Sequence, residues 1–271
     1  MLAEWLTRLT APCQQPYRRM GYLTELIAIR FRHRRCHVAW DPHLKNCREL
    51  IRSVIPSCTE RQKVIVLGSG NVLDIPLTDL ARQFEEVTLI DICHLPATRR
   101  LTRRFKNIRL LESDISGVAD ALDRWLAGPR QSALPDPAID QTLLNGASYV
   151  ISANLLAQLP LVPLSFLARQ ATDIDDGTLS AFARKVIDFH LSLLRSLNCP
   201  VTLITETLRL TKNRQQTVGK DDPLFGSPLS YAGEEWWWDV APAPETGKDI
   251  DVRLRMRAIG NLSTAAHTRL Q

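Results

Sequence analysis

A glycine turn and two aspartates close three consecutive apolar runs of this chain. VIVL (64–67) leads into Gly68-Ser69-Gly70, where the absence of side chains lets the backbone approach a ligand closely. Asp91 ends the next run, EVTLID, about 20 residues later, where a carboxylate accepts both hydrogen bonds of a ribose diol. Asp114 ends the third run, IRLLESD, and is placed to accept from an adenine amine. These positions predict a site for an adenine nucleoside.

The elements that must position these residues alternate between strands and helices. Helical stretches separate five short apolar runs, which are VIVL (64–67), EVTLID (86–91), IRLLESD (108–114), SYVISAN (148–154) and VTLITE (201–206). Near-continuous apolar strands need both faces buried, which favours a parallel sheet covered by helices. EEWWWDV (234–240) and DVRLRMRAIG (251–260) have no helix between them and read as an antiparallel pair. We therefore predict an α/β fold with a doubly wound, mostly parallel seven-stranded sheet closed by an antiparallel strand pair.

The segment before the first strand is predicted to be helical. We divide the chain into an N-terminal helical cap, residues 1–60, and a Rossmann-like domain, residues 61–271. Asp41 and Pro42 are good residues for the N-cap and first position of a helix, and apolar residues then recur at helical spacing. This start would place Trp40 and His43 at the entrance of that helix.

The charge of the chain is concentrated in the same segment. The formal net charge is +5. RFRHRRCH (30–37) could contact a nucleic acid or another anion, but a solvated helix end is the favoured interpretation. No apolar run approaches the roughly 18 residues that span a bilayer, and MLAEWLTRLTAPC lacks the order of a signal peptide. We expect a cytoplasmic protein with reduced cysteines and no bound metal, since the spacing of its His and Cys residues fits no standard zinc pattern.

Residues 60–262 resemble the class I S-adenosylmethionine-dependent methyltransferases. The resemblance rests on the glycine loop VLGSGN, the acidic LIDI and ESDI, the run to SANLLAQLP and the closing strand pair. It implies S-adenosylmethionine as cofactor, with the glycine loop along its methionine portion, Asp91 at the ribose, and Asn154 beside the sulfonium. The residues that it assigns to the cofactor are Gly68, Ser69, Gly70, Asn71, Asp91, Ile92, Asp114, Ile115 and Asn154.

The glycine loop departs from the family pattern at two positions. Val66 replaces the usual acidic residue, and Val72 replaces the usual third glycine. The amino-acid end of the cofactor then needs another polar partner, for which Asn71, Asp74 and His43 are candidates. Pro76 is tolerated only in the first turn of a helix, so the next helix is predicted to begin late, near residues 74–76.

The resemblance implies transfer of a methyl group to an acceptor. Asn154, Glu206 and His43 are our candidates for positioning the acceptor or accepting its proton. A small-molecule acceptor is favoured over a nucleic acid. Two other functions stay open: an NAD-dependent oxidoreductase, which shares the glycine turn and Asp91, and a non-catalytic S-adenosylmethionine-binding adaptor that recruits a partner through its basic N-terminal segment.

Overall fold

One mixed sheet organises the chain in a computed structural model that describes residues 2–128, 133–214 and 216–265. Its strands are β1 (Lys63–Leu67), β2 (Glu86–Asp91), β3 (Ile108–Glu112), β4 (Tyr149–Ala153), β5 (Val201–Asn213), β6 (Gln216–Asp221), β7 (Glu234–Ala241) and β8 (Ile250–Ile259). The helices are α1 (Leu2–Thr10), α2 (Gln15–Met20), α3 (Tyr22–Arg35), α4 (His37–Val54), α5 (Leu77–Gln83), α6 (Pro96–Thr102), α7 (Ala119–Ala127), α8 (Leu161–Gln170) and α9 (Asp176–Arg195).

The strand order within the sheet is β3-β2-β1-β4-β5-β8-β7. The first five strands are parallel, and β8 runs antiparallel to both β5 and β7. This arrangement confirms the predicted fold class and its closing pair. One strand was not predicted: β6 pairs with the outer part of β5, which extends well beyond the apolar run 201–206.

Helices cover both faces of the sheet because successive strand residues point to opposite sides. On one face Val66 of β1 shares a core with Ile51 of α4 and Leu80 of α5. On the other face Ile65 of β1 shares a core with Leu191 of α9. None of the helices in the described ranges is long and apolar enough to cross a membrane.

The strand order places a crevice above the centre of the sheet. β1 lies between β2 and β4, so the connections that follow β1 and β4 leave in opposite directions along the sheet. Open α/β sheets bind ligands in the crevice at the carboxyl ends of the strands on either side of such a switch point. Asp91 is the last residue of β2, and Gly68, Asp114 and Asn154 lie just past the ends of β1, β3 and β4, so the four residues meet there.

The helix before β1 begins earlier than the sequence predicts. The expected start at Asp41 and Pro42 is wrong, because α4 begins at His37 and contains Pro42. Cys36 and Trp40 are buried at its start, and Trp40 donates from Nε1 to the backbone oxygen of Val240 at 3.0 Å. This packing outweighs the one backbone hydrogen bond that a proline removes.

Helices do occupy residues 2–54, as expected for the N-terminal segment. The boundary between two domains at residue 60 stays a prediction. Residues 129–132, 215 and 266–271 of the second predicted domain lie outside the described residues.

Replacing Pro42 tests where α4 begins. Pro42→Ala restores the N–H that can donate to the backbone oxygen of Val38, so the free energy of unfolding should rise by about 1–2 kcal/mol in urea titrations. Pro96→Ala is the matched control: this proline is the first residue of α6, where a backbone N–H has no acceptor within the helix, and its replacement should not stabilise the protein. A loss of stability in Pro42→Ala would instead place the helix start at Pro42.

Candidate functional site

A cavity of about 920 Å³ opens at the carboxyl ends of the parallel strands. The strand ends form its floor, α3 and α4 supply one wall, and β7 and β8 supply another. The structure brings every proposed site residue to this cavity: His43, Gly68, Ser69, Gly70, Asn71, Asp91, Ile92, Asp114, Ile115, Asn154 and Glu206.

The loop after β1 needs its glycines for two reasons. Gly68 has φ +64°, and a Cβ atom there would overlap the side chain of Leu155. Gly70 has φ +52°, a left-handed backbone conformation that residues with a side chain rarely adopt. The turn is closed by the Val72 N–H, which donates to the backbone oxygen of Ser69 at 2.9 Å. The loop thereby exposes backbone to the cavity.

Val72, which replaces the usual third glycine, keeps the left-handed backbone that glycine would favour. Its φ is +58°, and its side chain is buried in the core beneath the loop. A β-branched residue in this region is strained by roughly 1–2 kcal/mol, which burial of its methyl groups offsets. Pro76 then caps α5, which begins at Leu77, just after the predicted start.

Asp91 ties the end of β2 to the glycine loop. Its Oδ2 accepts from the Gly70 N–H at 2.6 Å, and its Oδ1 accepts from the Ile92 N–H at 2.7 Å. Burial raises the pKa of this carboxyl group, although the backbone donors oppose that shift. A carboxylate offers about four acceptor positions, so capacity remains for a ligand.

Asp114 organises the loop between β3 and α7. Its Oδ1 accepts from both the N–H and the hydroxyl of Ser116, at 2.8 and 2.6 Å, and its Oδ2 accepts from the Ala119 N–H at 2.8 Å. Burial raises the pKa of Asp114 as well. Ile92 and Ile115 are buried beside the two aspartates and present apolar surface to the cavity.

Asn154 lies just past β4 and bridges to the glycine loop. It has φ +54°, and its Nδ2 donates to Oδ2 of Asp74 at 2.6 Å. Asn71 connects the loop to the N-terminal helices, because its Nδ2 donates to the backbone oxygen of Leu26 at 3.1 Å. Asn71 and Asp74, two of the candidates for the missing polar partner, therefore already make hydrogen bonds within the protein.

His43 is enclosed by aromatic rings. Its ring stacks on Trp238 at 3.9 Å between centroids and 3° between planes, and its Nδ1 accepts from Trp236 Nε1 at 3.0 Å. The proton of the neutral ring therefore resides on Nε2, which lies 3.5 Å from Cys47 Sγ. Burial lowers the pKa of His43 to about 3. The geometry favours a hydrogen-bond donor over a proton acceptor.

Glu206 is a buried carboxyl group where the parallel part of β5 ends. It is 5% exposed, and a β-bulge follows it, since Glu206 pairs with Met256 and Leu208 with Arg255. Bulges of this kind re-aim side chains near functional sites. Burial raises the pKa of Glu206, and the charge of Arg209 opposes that shift.

Several buried polar atoms around the cavity have no hydrogen-bond partner among the described residues. They are Tyr22 Oη, Ser69 Oγ, Asn71 Oδ1, Asn154 Oδ1, Glu206 Oε2 and Trp238 Nε1. Leaving a buried polar group unpaired costs about 1–3 kcal/mol, and each such group calls for an explanation. Their concentration at one cavity indicates a polar ligand.

Sequence reasoning missed the walls that come from elsewhere in the chain. Tyr22 and Leu26 of α3 and Val252 of β8 line the cavity. Trp238 lines it too, although the run EEWWWDV predicted only a strand. Alternation along β7 carries a partial signal, since Trp238 is buried and its neighbour Trp237 is exposed.

Comparison with known proteins gives distant likenesses. No model of a protein family matches the chain, and no curated protein matches it in sequence. Among solved structures, N-methyltransferase NodS from Bradyrhizobium japonicum, in complex with S-adenosylhomocysteine, is 14% identical, with 79% of this chain and 85% of NodS covered and a TM-score of 0.33. A DhpI–SAM–HEP complex is 14% identical, with 85% and 95% covered and a TM-score of 0.38.

A third solved structure has similar figures. The 1,6-didemethyltoxoflavin-N1-methyltransferase of Burkholderia thailandensis is 12% identical, with 92% of each chain covered and a TM-score of 0.34. These likenesses are too distant to assign an activity, which is argued below from the residues of this chain.

Substitution at Val72 tests the strained loop. Val72→Gly relieves the strain of the left-handed backbone, whereas Val72→Ala keeps it, so the glycine variant should be at least as stable as the alanine variant. The free energy of unfolding of Val72→Gly should lie within about 1 kcal/mol of that of the unsubstituted protein. Val66 lies within β1, where glycine is destabilising, so Val66→Ala should be more stable than Val66→Gly. Urea titration of the four variants checks this, and the same order at both sites would contradict the strained conformation.

The raised pKa of Glu206 predicts how stability changes with pH. A carboxyl group with a raised folded-state pKa favours folding below its unfolded pKa, and that contribution is lost as pH rises through the folded value. Glu206→Gln should therefore be more stable than the unsubstituted protein at about pH 8, with the difference shrinking toward about pH 4. Thermal unfolding across this range measures it. The exposed Glu234→Gln should show no such trend.

Proposed function

We propose that this chain is an S-adenosylmethionine-dependent methyltransferase. The observation that carries the proposal is the convergence on one cavity of a glycine loop, two strand-end aspartates and unpaired buried polar atoms. A cavity of about 920 Å³ is within the usual range for cofactor and small-molecule sites. A concave site of this size supports a small-molecule acceptor over a nucleic acid.

The adenosine portion of the cofactor fits the side of the cavity formed by β2 and β3. Asp91 retains acceptor capacity for ribose hydroxyls after holding Gly70 and Ile92. Oδ2 of Asp114 accepts one hydrogen bond, from the Ala119 N–H at 2.8 Å, and can accept another from an adenine amine. Ile92 and Ile115 offer apolar surface for the faces of the base.

The amino-acid portion fits the polar atoms that the protein leaves unpaired. Asn71 Oδ1 and Asn154 Oδ1 are acceptors that suit an α-ammonium group, and the Ser69 hydroxyl can donate to an α-carboxylate. These side chains supply the polar partner that the acidic residue replaced by Val66 would otherwise provide.

The sulfonium of the bound cofactor supplies a methyl group that is already activated for displacement. The protein's main task is then to hold the acceptor in line, and such positioning can be worth about 7–11 kcal/mol. Asn154 is held by Asp74 and by its own strained backbone, which suits a positioning residue. We assign His43 as a donor or packing group, and Glu206 as the proton acceptor.

Binding of S-adenosylhomocysteine, compared with NAD, tests the function. Calorimetry should show binding of the first and none of the second. NAD binding with no response to S-adenosylhomocysteine would support the oxidoreductase instead. Binding without turnover on any acceptor would support the adaptor.

Asp91→Ala tests the proposed ribose contact. Loss of two hydrogen bonds to a charged group, at roughly 1.5 kcal/mol each, should weaken S-adenosylhomocysteine binding by about 100-fold. The exposed Asp188→Ala on α9 is the control and should bind as the unsubstituted protein does. Unchanged calorimetric affinity in Asp91→Ala would remove this assignment.

A further inference from the structure

Glu206 is a buried carboxyl group that forms no ion pair with a cation among the described residues. Its Oε2 has no hydrogen-bond partner among the described residues, and the side chain lines the cavity. A buried charge is costly unless it is paired, so the site is incomplete without a group that supplies positive charge or an acidic proton. Arg209 lines the same cavity, but it lies on the exposed part of β5, where solvent screens its charge.

The wall shared with Glu206 is aromatic and apolar. Trp238 carries His43 stacked on its face and Trp40 edge-on at 4.8 Å, so its ring is fixed in place. Leu254 and Val252 of β8 extend the apolar surface. Together these side chains offer a ligand hydrocarbon surface beside Glu206.

We propose that the methyl acceptor is the nitrogen atom of a small, largely apolar amine, with its nitrogen at Glu206 and its carbon skeleton against Trp238. The proposal rests on the methyltransferase function, and it goes further by naming the class of acceptor. An amine satisfies both features at once, because its ammonium form pairs with the carboxylate and its skeleton buries the aromatic wall. An anionic acceptor would meet an unpaired carboxylate, and a hydrocarbon would leave Glu206 unsatisfied.

The same carboxylate makes the amine reactive. An ammonium group has no lone pair, so one N–H proton must leave before transfer. Glu206 accepts this proton on Oε2, and a low-dielectric site favours the resulting neutral pair over the ion pair. The freed lone pair of nitrogen forms the new N–C bond while the C–S bond breaks with its electrons left on sulfur. The product is a methylated ammonium ion, a neutral thioether and a protonated Glu206.

Paired probes of opposite charge test the acceptor class. Phenethylamine and 3-phenylpropionate have similar skeletons but opposite charges. Their affinities are measured by calorimetry with the site saturated by S-adenosylhomocysteine, because its neutral sulfur adds no charge beside the probe. The amine should bind at least about tenfold more tightly than the acid, as expected for one desolvated charge contact. Glu206→Gln should remove that preference, and Glu234→Gln, which deletes the same charge from an exposed site, should preserve it. Mass spectrometry with S-adenosylmethionine should show one methyl group added to phenethylamine.

Three outcomes would overturn the proposal. They are equal affinity for the two probes, an amine preference that survives Glu206→Gln, and a Glu206→Gln variant that loses affinity for S-adenosylmethionine but not for S-adenosylhomocysteine. The last would assign Glu206 to the positive sulfur of the cofactor. Failure of the methyltransferase function is distinguishable: an oxidoreductase would not bind S-adenosylhomocysteine, and an adaptor would bind it without methylating phenethylamine or any other acceptor.

Discussion

The hydrogen bond from the Gly70 N–H to Asp91 Oδ2 joins the two strand ends on which the site depends. It fixes the glycine loop against β2, together with a hydrogen bond from the Ser69 N–H to the backbone oxygen of Ile90. Because β2 pairs along its length with both β1 and β3, the position of Asp91 is set by the whole parallel sheet. The glycine loop is therefore held in place although Val72 replaces its third glycine. The Asp91 carboxylate stabilises the fold and can also bind a ligand.

The N-terminal helices are part of the cavity rather than a separate cover. α4 packs against β7 through Trp40 and His43, and α3 is tied to the glycine loop by Asn71. Glu245, between β7 and β8, accepts from Arg32 and Arg35 of α3 and links the opposite wall to the same helix. Both halves of the site therefore depend on residues that a boundary at residue 60 would assign to another domain.

The sequence predicted the sheet because buried strands carry a local signal. Apolar runs, their polar ends and the alternation in DVRLRMRAIG identify seven strands, and polar residues at strand ends must meet at one edge. The start of α4 could not be predicted this way, because Pro42 is a local signal that the burial of Trp40 overrides. The stack of His43 on Trp238 joins positions 195 residues apart and has no local signal at all.

The departures from regular structure are concentrated around one cavity. Val72 and Asn154 adopt left-handed backbone, and Asn71, Asn154 and Glu206 bury polar atoms without partners in the described structure. The unpaired polar atoms and the left-handed backbone of Asn154 lower the stability of the free protein, while the strain at Val72 is offset by burial of its side chain. Costs of this kind are retained where function requires them, and a ligand that pairs these atoms would recover part of the lost stability on binding. Among the unpaired atoms, those of Asn71, Asn154 and Glu206 are acceptors and Trp238 Nε1 is a donor, so the ligands that recover most bring donors or positive charge together with an acceptor.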